Sequence, residues 1–343
     1  MDIGKLVKKQ VSALKAYDAK EIPCRIKLDA NESPYGFADA AESIAGIRTN
    51  RYPDPKAGVL RRLIAKDLGI NQENILFGNG SDELIYYLIT TFGGPVSYPV
   101  PTFSMYGIIS QALGEMKVEI PLDKDFDIDM DVFLKAVRKE KPKLIFLSSP
   151  NNPTGNCFST DRILKIIAAS RGIVIVDEAY QPFSSETGML PLLKDCRNLV
   201  IMRTLSKIGL AGLRLGFMLA DPEIIREVNK VRLPFNLNSF SQAVAVAALK
   251  KKKEFRTSIK AIVAERERLL EEMGKIEGVT PYPSEANFIL FRVEDPDYVY
   301  ASLLKKGILV RNIKDVAGCL RVTVGTLKEN TAFLKALNEI TRG

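Results

Sequence analysis

Two side chains thirty positions apart, Asp177 and Lys207, are of the types that could hold and use an aldehyde cofactor. Lys207 lies in RTLSKIGLAGLRLG (203–216), behind Ser206 and ahead of a glycine-rich turn and Arg214. Asp177 closes the apolar run GIVIV (172–176) and leads into Glu178, Ala179 and Tyr180. An amine can condense with an aldehyde, and a carboxylate can sit against a protonated pyridine nitrogen. A hydroxyl and a guanidinium can grip a phosphate, the guanidinium in bidentate fashion. Pyridoxal phosphate, held as a Schiff base on Lys207, has those three needs together.

Other short runs add donors of the right kind. FGNGSDE (77–83) puts a glycine turn before a helix, so the N–H groups near Ser81 and Asp82 can face an anion with the helix dipole behind them. Asn152 in SPNNPTG (149–155) and Tyr180 can donate to the phenolic oxygen of the ring. Phe103 in PTFSMY (101–106) can stack on its face.

Composition narrows the chemistry further. The chain has 343 residues and no histidine, which removes Ser-His-Asp and Cys-His catalysis and any imidazole metal ligand. Protons must then move on Lys, Tyr, Asp or Glu. Cys24, Cys157, Cys196 and Cys319 are scattered without paired spacing, so neither a metal site nor a disulfide framework is indicated. No leader-like or membrane-length apolar run is present, and the cytoplasm is the expected compartment. The net charge of +8 is spread along the chain, and the run KKKK (250–253) reads as a solvated helix face rather than a nucleic-acid site.

These residues need a frame that brings them together. From about Gly58 helical and strand-like runs alternate, and the strands NILF, PVSY, KVEIPL, KLIFLSS, GIVIV, NLVIM and LGFMLA are nearly continuous in Val, Ile and Leu. Strands of that kind are covered on both faces, which predicts an α/β architecture with a mainly parallel sheet clad in helices. After Pro234 a long helical stretch, roughly 241–273, leads into strands and a closing helix, the pattern of a smaller α+β domain. The expected division is an arm over 1–40, a large domain over 41–240 and a small domain over 241–343. In open α/β sheets ligands bind beyond the carboxyl ends of the strands. GNGS, SPNNPTG, DEAY and TLSK each follow such a strand.

The ordered set LDANESPYG, NRYPDP, GNGSDE, SPNNPTG, VDEAY, RTLSK, GLRLGF, SEANF and CLRVTVGT resembles the histidinol-phosphate aminotransferases, fold-type I pyridoxal-phosphate enzymes of the aspartate aminotransferase superfamily. The resemblance spans about residues 12–340. It implies a seven-stranded sheet, with Lys207 binding the cofactor and moving the substrate proton. Asp177 would meet the pyridine nitrogen, and Asn152 and Tyr180 the ring oxygen. Ser206, Arg214 and the Ser81–Asp82 turn would hold the phosphate, joined by Tyr52 of a neighbouring subunit in a homodimer with shared sites. On the substrate side it implies Arg321 for the glutamate carboxylate, Arg311 with Tyr17 for the substrate phosphate, and Asn31 as a further contact.

The implied reaction is transamination between L-histidinol phosphate and 2-oxoglutarate, giving imidazole acetol phosphate and glutamate. Threonine-phosphate decarboxylases and broad aromatic-amino-acid aminotransferases share the framework, although LDANESPYG differs from the SANINPLG-like run of those decarboxylases. Two departures stand out. Six residues separate Lys207 from Arg214 where many of the superfamily have seven, and position 103 is Phe where Tyr is commoner.

Overall fold

The computed structural model describes residues 1–16 and 21–342. Its strands, in chain order, are β1 (Ile26–Lys27), β2 (Ile75–Asn79), β3 (Val96–Val100), β4 (Lys117–Pro121), β5 (Leu144–Ser148), β6 (Ile173–Asp177), β7 (Leu199–Thr204) and β8 (Leu215–Ala220). β9 (Thr280–Pro281), β10 (Phe288–Arg292), β11 (Ile308–Leu309), β12 (Arg311–Ile313) and β13 (Cys319–Thr323) follow. Seven of them form one sheet in the order β2-β8-β7-β6-β5-β3-β4. Every neighbouring pair is parallel except those made by β8, which runs against both β2 and β7.

The Val/Ile/Leu content of these strands explains their burial on both faces. Because successive side chains point to opposite faces, Ile145 and Leu147 pack with Val174, Val176 and Ile201 on one side. Leu144 and Phe146 pack with Ile175, Val200 and Met202 on the other. Helices close both faces. Ser81–Phe92, for example, buries Leu84, Ile85 and Leu88, an i, i+3/i+4 stripe. Since β2 is antiparallel to β8 and β8 to β7, the carboxyl ends of β2, β3, β5, β6 and β7 share one edge of the sheet.

A second sheet, in the order β12-β13-β10-β9, is antiparallel where its strands pair. Ile289, Phe291, Leu320 and Val322 pack there against Leu269 and Met273 of the helix Lys252–Gly274 and Phe333 and Leu337 of the helix Leu327–Arg342. No helix among the described residues is long and apolar enough to cross a membrane.

Three expectations are refined. The single helical stretch over 241–273 is two helices, Ser239–Lys250 and Lys252–Gly274, broken at Lys251, whose φ/ψ of −104°/37° is not helical. The lysine run at that break is not wholly solvated, because Lys251 pairs with Asp39 and Lys252 with Asp67. The run KLDANESP (27–34), whose alternation at its start also suits a strand, is in one only at Lys27, the second residue of β1, which pairs with β11. Asn31 ends the extended run by entering the left-handed region at φ 54°, a conformation Asn tolerates better than most residues.

A buried ion pair ties the ends of the two central strands. Glu178, just past β6, is 1% exposed at its side chain and accepts from Arg203 Nε (2.9 Å) and Nη2 (2.8 Å) on β7. It also accepts from the Met189 N–H. Arg203→Ala would strand the Glu178 carboxylate in a dry environment, so a destabilisation of about 3–5 kcal/mol is expected. Urea unfolding of the variant beside the parent protein measures it, and an unchanged midpoint would refute the assignment.

Candidate active site

Asp177 forms the floor of the site. As the last residue of β6 it inherits the strand's burial and is 4% exposed. Tyr106 Oη donates to its Oδ2 at 2.8 Å and the Ala179 N–H to its Oδ1 at 3.1 Å. Burial raises its pKa from the ordinary 3.8 to about 6, against the lowering effect of those two donors and of the Lys207 charge. Tyr106 is itself fully buried, stacked on Phe146 (4.8 Å, 16°) and edge-on to the half-buried Phe103 (5.6 Å, 86°). Burial and the adjacent Asp177 push its phenol pKa far up, so it remains a proton donor.

Lys207 sits after β7 on the short 3-10 turn Ser206–Ile208 and is half-buried. Its ammonium lies 5.6 Å from the centroid of the Tyr180 ring. Tyr180 follows β6 by three residues, is 5% exposed, and packs edge-on to Phe288 of β10. The Asn31 amide donates to its hydroxyl oxygen at 2.9 Å.

The end of the site where the helix Ser81–Phe92 starts is built around glycine. Gly80, at φ 85°, caps the helix Ser81–Phe92, so the Ser81 and Asp82 N–H groups occupy that helix's first turn. A Cβ at Gly80 would lie 2.5 Å from Arg214 Nη2, and one at Gly216 2.7 Å from the Ser81 nitrogen. Arg214, at φ 48°, crosses this gap and pairs with Asp82 at 3.1 Å. The six-residue link is taken up by two 3-10 turns hinged at Gly209, and Arg214 still reaches the helix start. Ser206 is buried beside Thr204, whose hydroxyl donates to Ser206 Oγ at 2.9 Å.

At the opposite end, Arg321 on β13 is 8% exposed, with its guanidinium 5.2 Å from the Phe288 ring. Its Nη1 donates to Asn152 Oδ1, and its Nη2 to the Asp29 carbonyl at 2.8 Å. Arg311 on β12 stands directly opposite Arg321 in the ladder, so the two project from the same face of the sheet. Arg311 is exposed and has no carboxylate partner among the described residues.

Tyr52 is 82% exposed and stacks on Phe235 (4.6 Å, 16°), lining a groove with Val59, Gln242 and Val246. Asn31, expected at the substrate, is 1% exposed and its amide is committed to Tyr180 and Thr323. Tyr17 lies outside the described residues. The sequence reading missed Tyr106, Thr204, Asn287 and Thr323. Tyr106 carries a usable signal, since it stands in the same PTFSMY run as Phe103, just inside a helix that opens beyond a strand's carboxyl end.

Comparison with known proteins now adds to this geometry. The family model for aminotransferase class I and II matches residues 25–337. The chain belongs to that family. It is 44% identical to the histidinol-phosphate aminotransferase of Aquifex aeolicus, over 97% of this chain and 98% of that protein. It is 41% identical to that of Thermoanaerobacter sp., over 98% and 99%. The crystal structure of histidinol-phosphate aminotransferase from Sinorhizobium meliloti in complex with pyridoxal-5'-phosphate superposes with a TM-score of 0.89 at 25% identity, covering 98% of this chain and 97% of that one. The fold is therefore that of the fold-type I aminotransferases.

The raised Asp177 pKa has a thermodynamic signature. Between 3.8 and about 6 the folded protein holds a proton that the unfolded chain releases, so stability falls as pH rises through that window and is level above it. In cofactor-free protein, relative to Asp177→Asn, the parent should lose about 3 kcal/mol of stability across it. Urea unfolding of both proteins at pH 4, 5, 6 and 7 reads the difference, and a constant difference would refute the burial argument.

Proposed function

We propose that this aminotransferase interconverts L-histidinol phosphate and 2-oxoglutarate with imidazole acetol phosphate and L-glutamate, using pyridoxal phosphate. The observation that carries the reading is the gathering, at one sheet edge, of a half-buried lysine, a desolvated carboxylate and two arginines on one face of the neighbouring sheet. The relatives' names supply the reaction.

The residues fit the cofactor. A carboxylate whose ionised form is disfavoured by burial is stabilised by a cation against it, and a protonated pyridine nitrogen is such a cation. The gap over Gly80 and Gly216, closed to any Cβ, leaves backbone N–H groups and Arg214 to face a phosphate. When bound, the cofactor supplies the aldehyde and the electron sink for the amino-group exchange.

Each residue then has a task. Lys207 anchors the cofactor and moves a proton at the substrate carbon that bears the amine. Asp177 stays ionised beside the ring nitrogen, assisted by the Tyr106 hydroxyl. Asn152, whose Oδ1 is taken by Arg321, keeps its amide hydrogens for the ring oxygen, as Tyr180 keeps its phenol proton. Phe103 covers the ring, and Ser206, Ser81, Asp82 and Arg214 bind the phosphate. Arg321 receives the carboxylate of glutamate, and the exposed Arg311, with Tyr17, receives the phosphate of the substrate.

The same reading makes the enzyme a homodimer. Tyr52 and Val59 are exposed apolar residues along one groove, as a partner surface requires, and Tyr52 would reach the phosphate of the other subunit's cofactor. It also makes the enzyme cytoplasmic, consistent with four free cysteines. The arm, large domain and small domain are set at 1–40, 41–240 and 241–343.

Lys207→Ala should abolish both turnover and the absorbance of covalently bound cofactor; survival of both would overturn the reading. Arg311→Ala should lower kcat/KM for histidinol phosphate far more than for unphosphorylated histidinol, since only the former presents a phosphate to the guanidinium. Equal losses would count against its phosphate role. Mixing inactive Tyr52→Ala and Lys207→Ala chains should restore part of the activity, whereas no recovery would mean self-contained sites.

A further inference from the structure

Asn31 is far better held than a substrate contact needs to be. Its backbone occupies the left-handed region at φ 54°. Its N–H donates to Thr323 Oγ1 at 2.9 Å, and its carbonyl accepts from Asn287 Nδ2 at 3.0 Å. Asn31, Asn287 and Thr323 are 1%, 0% and 2% exposed. This network also decides which way the amide faces. Thr323 Oγ1, which accepts from the Asn31 N–H, donates its one proton to Asn31 Oδ1 at 3.3 Å. The amide nitrogen is therefore the end that meets Tyr180.

A phenol oxygen that accepts from Asn31 must send its own proton elsewhere. Among the described residues none accepts the Tyr180 hydroxyl proton. The charged and titratable groups around Tyr180 are Lys207 over its ring, Asp177 at the end of β6 with Tyr106 bonded to it, Tyr35 packed against the same cluster, and Arg321 over the Phe288 ring that Tyr180 also meets. No carboxylate in that set bonds to the phenol.

We propose that Asn31 is a positioning residue that holds Tyr180 as a hydrogen-bond donor toward the ring oxygen of the cofactor, and so sets the pH at which the bound cofactor changes protonation. This rests on the reading that Tyr180 meets that oxygen. A donor at the ring oxygen favours its anionic form and so lowers the pH at which the bound chromophore takes up a proton. An amide that only donates to Tyr180 enforces this arrangement; an acceptor in the same place would reverse it.

The test is a pH titration of the holoenzyme's visible absorbance. Asn31→Asp keeps the size of the side chain but offers a carboxylate, which takes the Tyr180 proton for itself. The midpoint should rise by about one pH unit or more, the effect of one redirected hydrogen bond. Asn31→Gly accepts the left-handed backbone, removes the amide and should give a smaller rise. Circular dichroism melting of each variant accompanies the titration, since loss of packing alone lowers Tm without moving the midpoint. Tyr180→Phe marks the full effect of losing the donor. Unmoved midpoints in both Asn31 variants alongside a raised one in Tyr180→Phe would overturn the role of Asn31 and leave that of Tyr180 standing. An unmoved midpoint in Tyr180→Phe would overturn both.

Discussion

Much of this structure depends on a single carboxylate kept out of water. Asp177 ends a strand whose neighbours on both sides are apolar, and two donors do not make up for the hydration it has lost. A folded protein that carries such a group accepts lower stability near neutral pH. The cost is met when a cation is bound against it. The same burial that makes the ionised Asp177 unfavourable alone would make its attraction for such a cation strong, because little solvent is present to screen it. Tyr106 belongs to this arrangement as a donor too deeply buried to ionise itself.

Around that carboxylate the parallel sheet does the collecting. Parallel neighbours end at one edge, so the loops after β2, β5, β6 and β7 meet there although they are distant in sequence. β8 alone runs the other way, and that reversal brings Arg214, immediately before it, back to the same edge beside Gly80. The Glu178–Arg203 pair locks the ends of β6 and β7 so that Asp177 and the Lys207 turn keep a fixed relation.

The smaller sheet is joined to this edge by direct bonds rather than by proximity alone. Arg321 reaches across to Asn152 of the large sheet's loops and to the Asp29 carbonyl of the N-terminal segment. Asn31, two residues further on, binds Thr323 of the same strand as Arg321 and Tyr180 in the loop after β6. The N-terminal segment is thus a strap between the two sheets, and Arg321, Asn152, Asn31 and Tyr180 are held together through it by hydrogen bonds.

Local chemistry in the sequence determined much of this protein. The Val/Ile/Leu runs dictate doubly covered strands, the glycine turns favour helix starts, and Lys207, Asp177 and Arg214 are of types that could hold an aldehyde cofactor bearing a phosphate. Tertiary structure alone decided which groups would be partners. Tyr106 meets a carboxylate 71 positions away, Asn31 a phenol 149 away, and Arg321 a carbonyl 292 away. It also broke the predicted helix at Lys251 and made Asn31 a buried brace. The physical reason is one of range: propensity and periodicity act over a few residues, whereas burial and hydrogen-bond satisfaction are settled only when distant segments share one interior.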